Sequence, residues 1–145
     1  MANPLEHQLS YPFGDQLPDA GTTLEIAPGV RWVRMGLPFA LDHINLWLLA
    51  DGEGWVIVDT GLGTSATREH WDHLFANTLR GKPVTRIIVT HYHPDHAGNA
   101  GWLMLVAAFI LASVATRSGH QRKQRLGIGE ARGGRRGPEI GRAHV

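Results

Sequence analysis

An apolar run, Val84 to Val89, leads directly into Thr90-His91-Tyr92-His93-Pro94-Asp95-His96-Ala97-Gly98-Asn99. The run reads as a buried strand, and three imidazoles and a carboxylate then fall within the six positions from His91 to His96. This density restricts the fold, because the strand must end at an open edge where its loop can gather ligands, a recurrent α/β arrangement. Neutral imidazole and carboxylate suit zinc or iron, with water filling a remaining position in a catalytic site. His91 and His93 are two apart. On extended backbone their side chains leave on the same side and can grip one metal. Pro94 is expected to stop the extended run from continuing as ladder or helix. Asp95 and His96 then point elsewhere, which suits a second metal about 3.5–4 Å away. The competing reading is a polar loop whose histidines are merely solvated, and the clustering argues against it. Isolated histidines carry no such weight. His70 and His73 lie in a helical pattern and read as surface residues, His7 sits in an irregular N-terminus, and His43 precedes a strand and is open to either a pocket or a plain surface role.

His91-x-His93-x-Asp95-His96 resembles the signature of the metallo-β-lactamase fold hydrolases, and Val58-Asp59-Thr60-Gly61 resembles their upstream Asp-Thr-Gly element. The resemblance implies an α/β (α+β) fold, a partial αββα sandwich of which this chain supplies the first half. It implies His91 and His93 on one metal and Asp95 and His96 on a second, with Asp95 also a catalytic carboxylate. Two zinc ions are the expected cofactors, with iron or manganese as alternatives. A metal lowers the pKa of bound water from about 15.7 to roughly 7 and so supplies a nucleophilic hydroxide at neutral pH. Asp59 is then a carboxylate behind the ligands that fixes their loop, since such partners orient ligands and tune their basicity. The alternative for Asp59 is a turn or cap residue, a common use of Asp.

The implied activity is metal-dependent hydrolysis of an ester, thioester, lactone, lactam or phosphodiester of a small-molecule substrate. Fold resemblance does not choose among these. The family also needs a further His on the first metal, a bridging Asp and a late His on the second. No aspartate follows Asp95, and neither His120 nor His144 stands in a recognisable context. The chain is therefore expected to be an inactive fragment of a hydrolase. The alternative is a non-catalytic partial metal-binding fragment or a gene-fragment product that does not fold. The genomic sequence downstream of Leu103 separates the two.

Upstream of Leu103 the organisation is regular. Met1 to Asp19 is loop-like, punctuated by Pro4, Pro12, Gly14 and Pro18. Strands are expected at Thr23–Ile26, Val30–Met35, Ile44–Ala50, Trp55–Val58 and Val84–Val89, with a hairpin turn at Asp51-Gly52-Glu53-Gly54. Ser65–Leu79 reads as a helix with Trp71, Leu74, Phe75 and Leu79 on one stripe, ended by Gly81 and Pro83. The succession is a strand-rich layer followed by a β-α-β unit. Gly61, Gly63 and Ala66 loosely fit a dinucleotide fingerprint. No acidic residue ends the next strand to hold a ribose, so the glycines are assigned to backbone geometry.

After Leu103 the grammar changes, and residues 104–145 are expected to be frameshift- or adapter-derived, or disordered. Through Thr116 six cations face eleven carboxylates; from Arg117 eight cations face two. The near-neutral total thus hides a basic, Gly-rich tail. A nucleic-acid role is not expected, because the tail has no aromatic residue to stack on a base. Glu139-Ile140-Gly141-Arg142-Ala143-His144-Val145 back-translates as GAG ATC GGA AGA GCA CAC GTC, the start of a commonly used sequencing adapter. For the apolar stretch Leu103–Ala115 three readings stand: a frame-shifted segment, a helix buried behind the metal loop, or, least favoured, a membrane insertion. A transmembrane helix normally needs about 18 or more apolar residues. The chain has no cysteine and hence no disulfide or thiolate ligand. Its N-terminus lacks a basic region followed by an apolar core, and a cytoplasmic location is the default expectation.

Overall fold

The computed structural model describes Leu5 and residues 8–125. The basic tail beyond residue 125, with His144, Glu130 and Glu139, lies outside the described residues, as does His7. Five strands form one sheet in sequence order: β1 (Leu24–Ala27), β2 (Val30–Gly36), β3 (His43–Asp51), β4 (Gly54–Val58) and β5 (Val84–Ile88). The first three pairings are antiparallel and β4–β5 is parallel. Helix α1 (Ser65–Leu74) makes the crossover between β4 and β5. This is the first αβ half of an αββα sandwich, as expected.

Alternation on the strands makes the core. Ile44, Leu46 and Leu48 of β3, with Val33 and Met35 of β2, are buried and pack with Trp71, Leu74, Leu79 and Leu103. The period of two on β3 and the helical stripe on α1 meet on one face of the sheet. Thr64 starts α1 as a side-chain cap, its hydroxyl accepting from Thr67 N–H. The expected helix Ser65–Leu79 differs at its end: the last five residues, Phe75–Leu79, widen into a π-helical turn. Arg80 then turns left-handed at φ 49° and Gly81 at φ 75°, which stops the helix where the glycine and Pro83 were expected to stop it.

No ladder continues through Pro94, as expected, but the expectation that it also bars a helix fails. Pro94 begins helix α2 (Pro94–Ala97) as the first helical residue, where a missing N–H costs nothing. Helix α3 (Ala100–Arg125) follows almost at once. The stretch Leu103–Ala115 is thus helical, but its side chains part company with the core. Leu103 is fully buried, whereas Leu105 is 74% and Phe109 75% exposed. Pro94–Ser113 is long and apolar enough, by length and composition alone, to cross a membrane. Its first turns, however, are tied to the protein through His96 and Asn99.

Candidate metal centre

The antiparallel pairings place the end of β2, the start of β3 and the ends of β4 and β5 at one edge of the sheet. The loops after β4 and β5 both leave from that edge, and they carry Asp59-Thr60-Gly61 and His91 to His96 respectively. Parallel pairing of β4 with β5 brings the two loops side by side, and Asp59 N–H donates to Ile88 O at 2.8 Å.

Asp59 is the buried anchor. Its φ is 60°, a left-handed conformation that turns the chain out of β4, and its residue exposure is 4%. Its carboxylate accepts from Thr90 N–H at 2.8 Å and from the Thr90 hydroxyl. It also lies 2.8 Å from His96 Nδ1. Burial acts to raise the Asp59 pKa, but the bonds from Thr90 N–H, the His96 ring and the Thr90 hydroxyl outweigh it and hold the carboxyl below its ordinary value.

The four motif side chains arrive as two pairs. His91 Nε2 lies 3.0 Å from His93 Nδ1, while His91 Nδ1 is occupied by the Thr90 hydroxyl at 3.0 Å. His96 spends Nδ1 on Asp59, so its Nε2 is the nitrogen left over, 3.6 Å from Asp95 Oδ2. The rings of His91 and His96 are 3.8 Å apart between centroids, so the pairs adjoin. With zinc–nitrogen bonds of about 2.0–2.1 Å, two ligands on one tetrahedral ion stand roughly 3.3 Å apart. Both pair separations are close to that spacing, and a ligand imidazole backed by a carboxylate is the usual arrangement around zinc. The donor set therefore fits a metal at each pair. Among the described residues no three ligand-type side chains form a single metal-holding group. The side chains of the two pairs differ in setting, with His91 and His93 exposed and Asp95 and His96 half-buried.

Sequence reasoning passed over Thr60, Thr90, Arg68 and Asn99. Thr60 N–H and Thr60 Oγ1 both donate to His96 O, each at 2.7 Å. Asn99 is fully buried and donates its amide nitrogen toward Thr60 O, Gly61 O and Leu62 O. The one signal for Asn99 was a polar residue just before an apolar stretch, a helix-start mark. Gly61, Gly63 and Gly98 let these loops touch. A Cβ on Gly98 would stand 2.4 Å from Pro94 O and 2.5 Å from Gly63 N, and one on Gly61 2.7 Å from Thr67 Cγ2. Backbone geometry, as expected from the sequence, is the use of Gly61 and Gly63.

The remaining histidines separate. His73 is exposed, with Nδ1 bonded to Gly21 O at 2.9 Å, and His70 is half-buried. His43 lines a cleft of about 480 Å³ with Leu17, Asp19, Arg34, Gly36 and Asp42, at the same sheet edge as the motif loops. There it contacts Asp42 Oδ1 and lies 2.8 Å from an Arg34 nitrogen.

A family model described as the metallo-beta-lactamase superfamily matches residues 40–144, and the chain belongs to that superfamily. An Atrochrysone carboxyl ACP thioesterase of Aspergillus terreus is 27% identical over 114 residues, covering 76% of this chain and 34% of its own length. A Probable metallo-hydrolase YqjP of Bacillus subtilis is 30% identical over 67 residues, covering 46% of this chain and 21% of its own. Among solved structures, a Beta-lactamase domain protein from Burkholderia ambifaria superposes with TM-score 0.65 and 62% identity, covering 70% of this chain and 31% of that one. The chain spans about a third of the length of the relatives it matches.

Proposed function

We propose that this chain is the N-terminal, metal-holding part of a metal-dependent hydrolase acting on a small-molecule ester or thioester. His91 Nε2 and His93 Nδ1 would hold one metal, and Asp95 and His96 Nε2 a second; zinc is the favoured ion. Bound there, zinc would supply Lewis acidity and lower the pKa of a water by several units. Asp59 keeps His96 in the orientation that frees Nε2, and Thr90 holds Asp59 and His91 together. Asp95 contributes the negative charge that balances a cation and can accept a proton. The observation that carries this reading is the pairing itself. Two imidazole nitrogens stand 3.0 Å apart, beside a carboxylate-backed histidine whose free nitrogen faces a second carboxylate. The thioester preference draws on the fungal thioesterase relative.

Because each half-site has two protein ligands from this chain, residues 1–145 alone are proposed to bind metal loosely and to turn over little. The chemistry is tested on the complete gene product containing this segment, with a panel of generic thioesters and lactones. Asp95→Asn should keep the circular dichroism spectrum and lose at least about tenfold in turnover, or about 1.4 kcal/mol in the barrier. Unchanged turnover would remove Asp95 from the chemistry, and an unfolded variant would assign it a structural role.

A further inference from the structure

The buried polar groups behind the motif form a closed chain that ends on one histidine. Asn99 occupies the position just before α3, and its carbonyl accepts the first helical bond from Leu103 N–H at 2.8 Å. An asparagine in that place ordinarily turns its side chain onto its own helix. Here the amide nitrogen turns away, to the carbonyls of Thr60, Gly61 and Leu62 at 3.2, 3.3 and 2.7 Å. Arg68 of α1 fixes which way the amide faces by donating Nε–H to Asn99 Oδ1 at 3.3 Å, with its guanidinium over the Trp102 ring. Asn99 N–H donates to Thr60 Oγ1 at 3.1 Å, and that hydroxyl donates onward to His96 O. Both Thr60 and Asn99 are fully buried. A buried network in which every member is paired specifies one arrangement, because a broken bond has no water to replace it.

We infer that Thr60 and Asn99 are positioning residues, a clasp that holds the His96 backbone so that its ring stays between Asp59 and the second metal position. The inference rests on the metal reading above for what His96 does, but not for where it is held. His96 is gripped at two points. Its carbonyl is fixed by Thr60 N–H and Oγ1, and its ring by Asp59. With both points fixed, Nε2 has one direction in which to face, toward Asp95. Without the Thr60 hydroxyl the carbonyl keeps only the Thr60 N–H and the buried Asn99 N–H loses its acceptor, so the loop loosens, the ring can leave Asp59 and the histidine loses its preset tautomer. Partners behind a ligand are typically worth about 10–100-fold in metal affinity.

The test compares Thr60→Val, which keeps the shape and removes the hydroxyl, with Thr60→Ser, which restores it. Asn99→Ala is the blunter variant, since it removes a donor from three carbonyls at once, of which Thr60 O keeps Trp71 Nε1 and Leu62 O keeps Thr64 N–H. Two readings are taken on residues 1–145: the His96 tautomer by nitrogen-15 NMR of the metal-free protein, and zinc affinity by titration with zinc alone. The wild type should hold the proton on Nδ1. Thr60→Val should show mixed tautomers and at least about tenfold weaker zinc binding, and Thr60→Ser should recover both. A single tautomer and unchanged zinc affinity in Thr60→Val would overturn the clasp and leave the metal reading standing. A tautomer lost in the valine variant and restored by serine, with no zinc bound by any form, would support the clasp and remove the metal reading beneath it. Loss of fold in Thr60→Val, seen by circular dichroism, would overturn the inference in favour of a role in folding alone.

Discussion

Asp59 shows how much one side chain can decide. Its carboxylate is buried yet pays little for it, because Thr90 N–H, the Thr90 hydroxyl and His96 Nδ1 all converge on it. Asp59→Asn keeps the shape and removes the charge those donors were arranged around. Hydrogen bonds to a charged group contribute about 1.5–3 kcal/mol, so the variant should lose about 2 kcal/mol in a urea titration. The folded-state pKa of Asp59 is depressed, so its stabilisation is present above the ordinary carboxylate value and is lost as pH falls through the folded value. The stability of Asp59→Asn should accordingly fall less on acidification than that of the wild type, and parallel acid profiles would assign the acid lability to other groups. At this scale the sequence was legible where residue types cluster. His91, His93, Asp95, His96 and Asp59 could be named as candidates because four ligand residues in six positions, paired with Asp-Thr-Gly, is a rare pattern. Thr60 and Asn99 could not be assigned, because a threonine and an asparagine fit many local roles and only the loop-to-loop approach shows what they bind.

At the scale of elements, the strands and turns were readable from alternation and from Gly and Pro punctuation. Each observed strand falls within about two residues of its expected bounds. The differences have local causes. The helix after β4 ends in a π-helical turn that lets Leu79 reach the core while Arg80 reverses the chain. Pro94 begins a helix because its fixed φ suits a first helical residue as well as it suits a strand terminator. Nothing in the sequence alone chooses between those uses. Close packing of the two motif loops depends on Gly98, whose added Cβ would meet three backbone atoms at 2.4, 2.5 and 2.9 Å. Backbone cannot step aside as a flexible side chain can. Gly98→Ala should therefore lower the urea midpoint by the equivalent of about 1–3 kcal/mol, the usual cost of overpacking. A neutral substitution would show that the Asp59 and His91 loops are not pressed together in solution.

The described residues form one sheet with α1 on one face, followed by the long helix α3. From Met104 onward the exposed residues of α3 include Leu105 and Phe109, four apart on one side of the helix. Contiguous exposed apolar surface of this kind promotes association, and β5 lies at the edge of the sheet with one side unpaired among the described residues. Residues 1–145 should therefore form oligomers by light scattering at micromolar concentration, and Leu105→Lys with Phe109→Lys should shift the population toward monomer. A monodisperse wild-type monomer with a cooperative melt would contradict this. On the proposed metal reading the same logic applies, since this chain, about a third the length of the first relatives it matches, would bring two ligands to each metal position where three or more are usual. Zinc content per chain decides whether the His91–His93 and Asp95–His96 pairs hold metal, as proposed. Elemental analysis of the complete gene product containing this segment, after equilibration with zinc and exhaustive gel filtration, should find bound zinc in the wild type. His93→Ala should lose at least half of it, and a chelator should remove the rest. Equal zinc content in wild type and His93→Ala would show that these pairs do not hold metal.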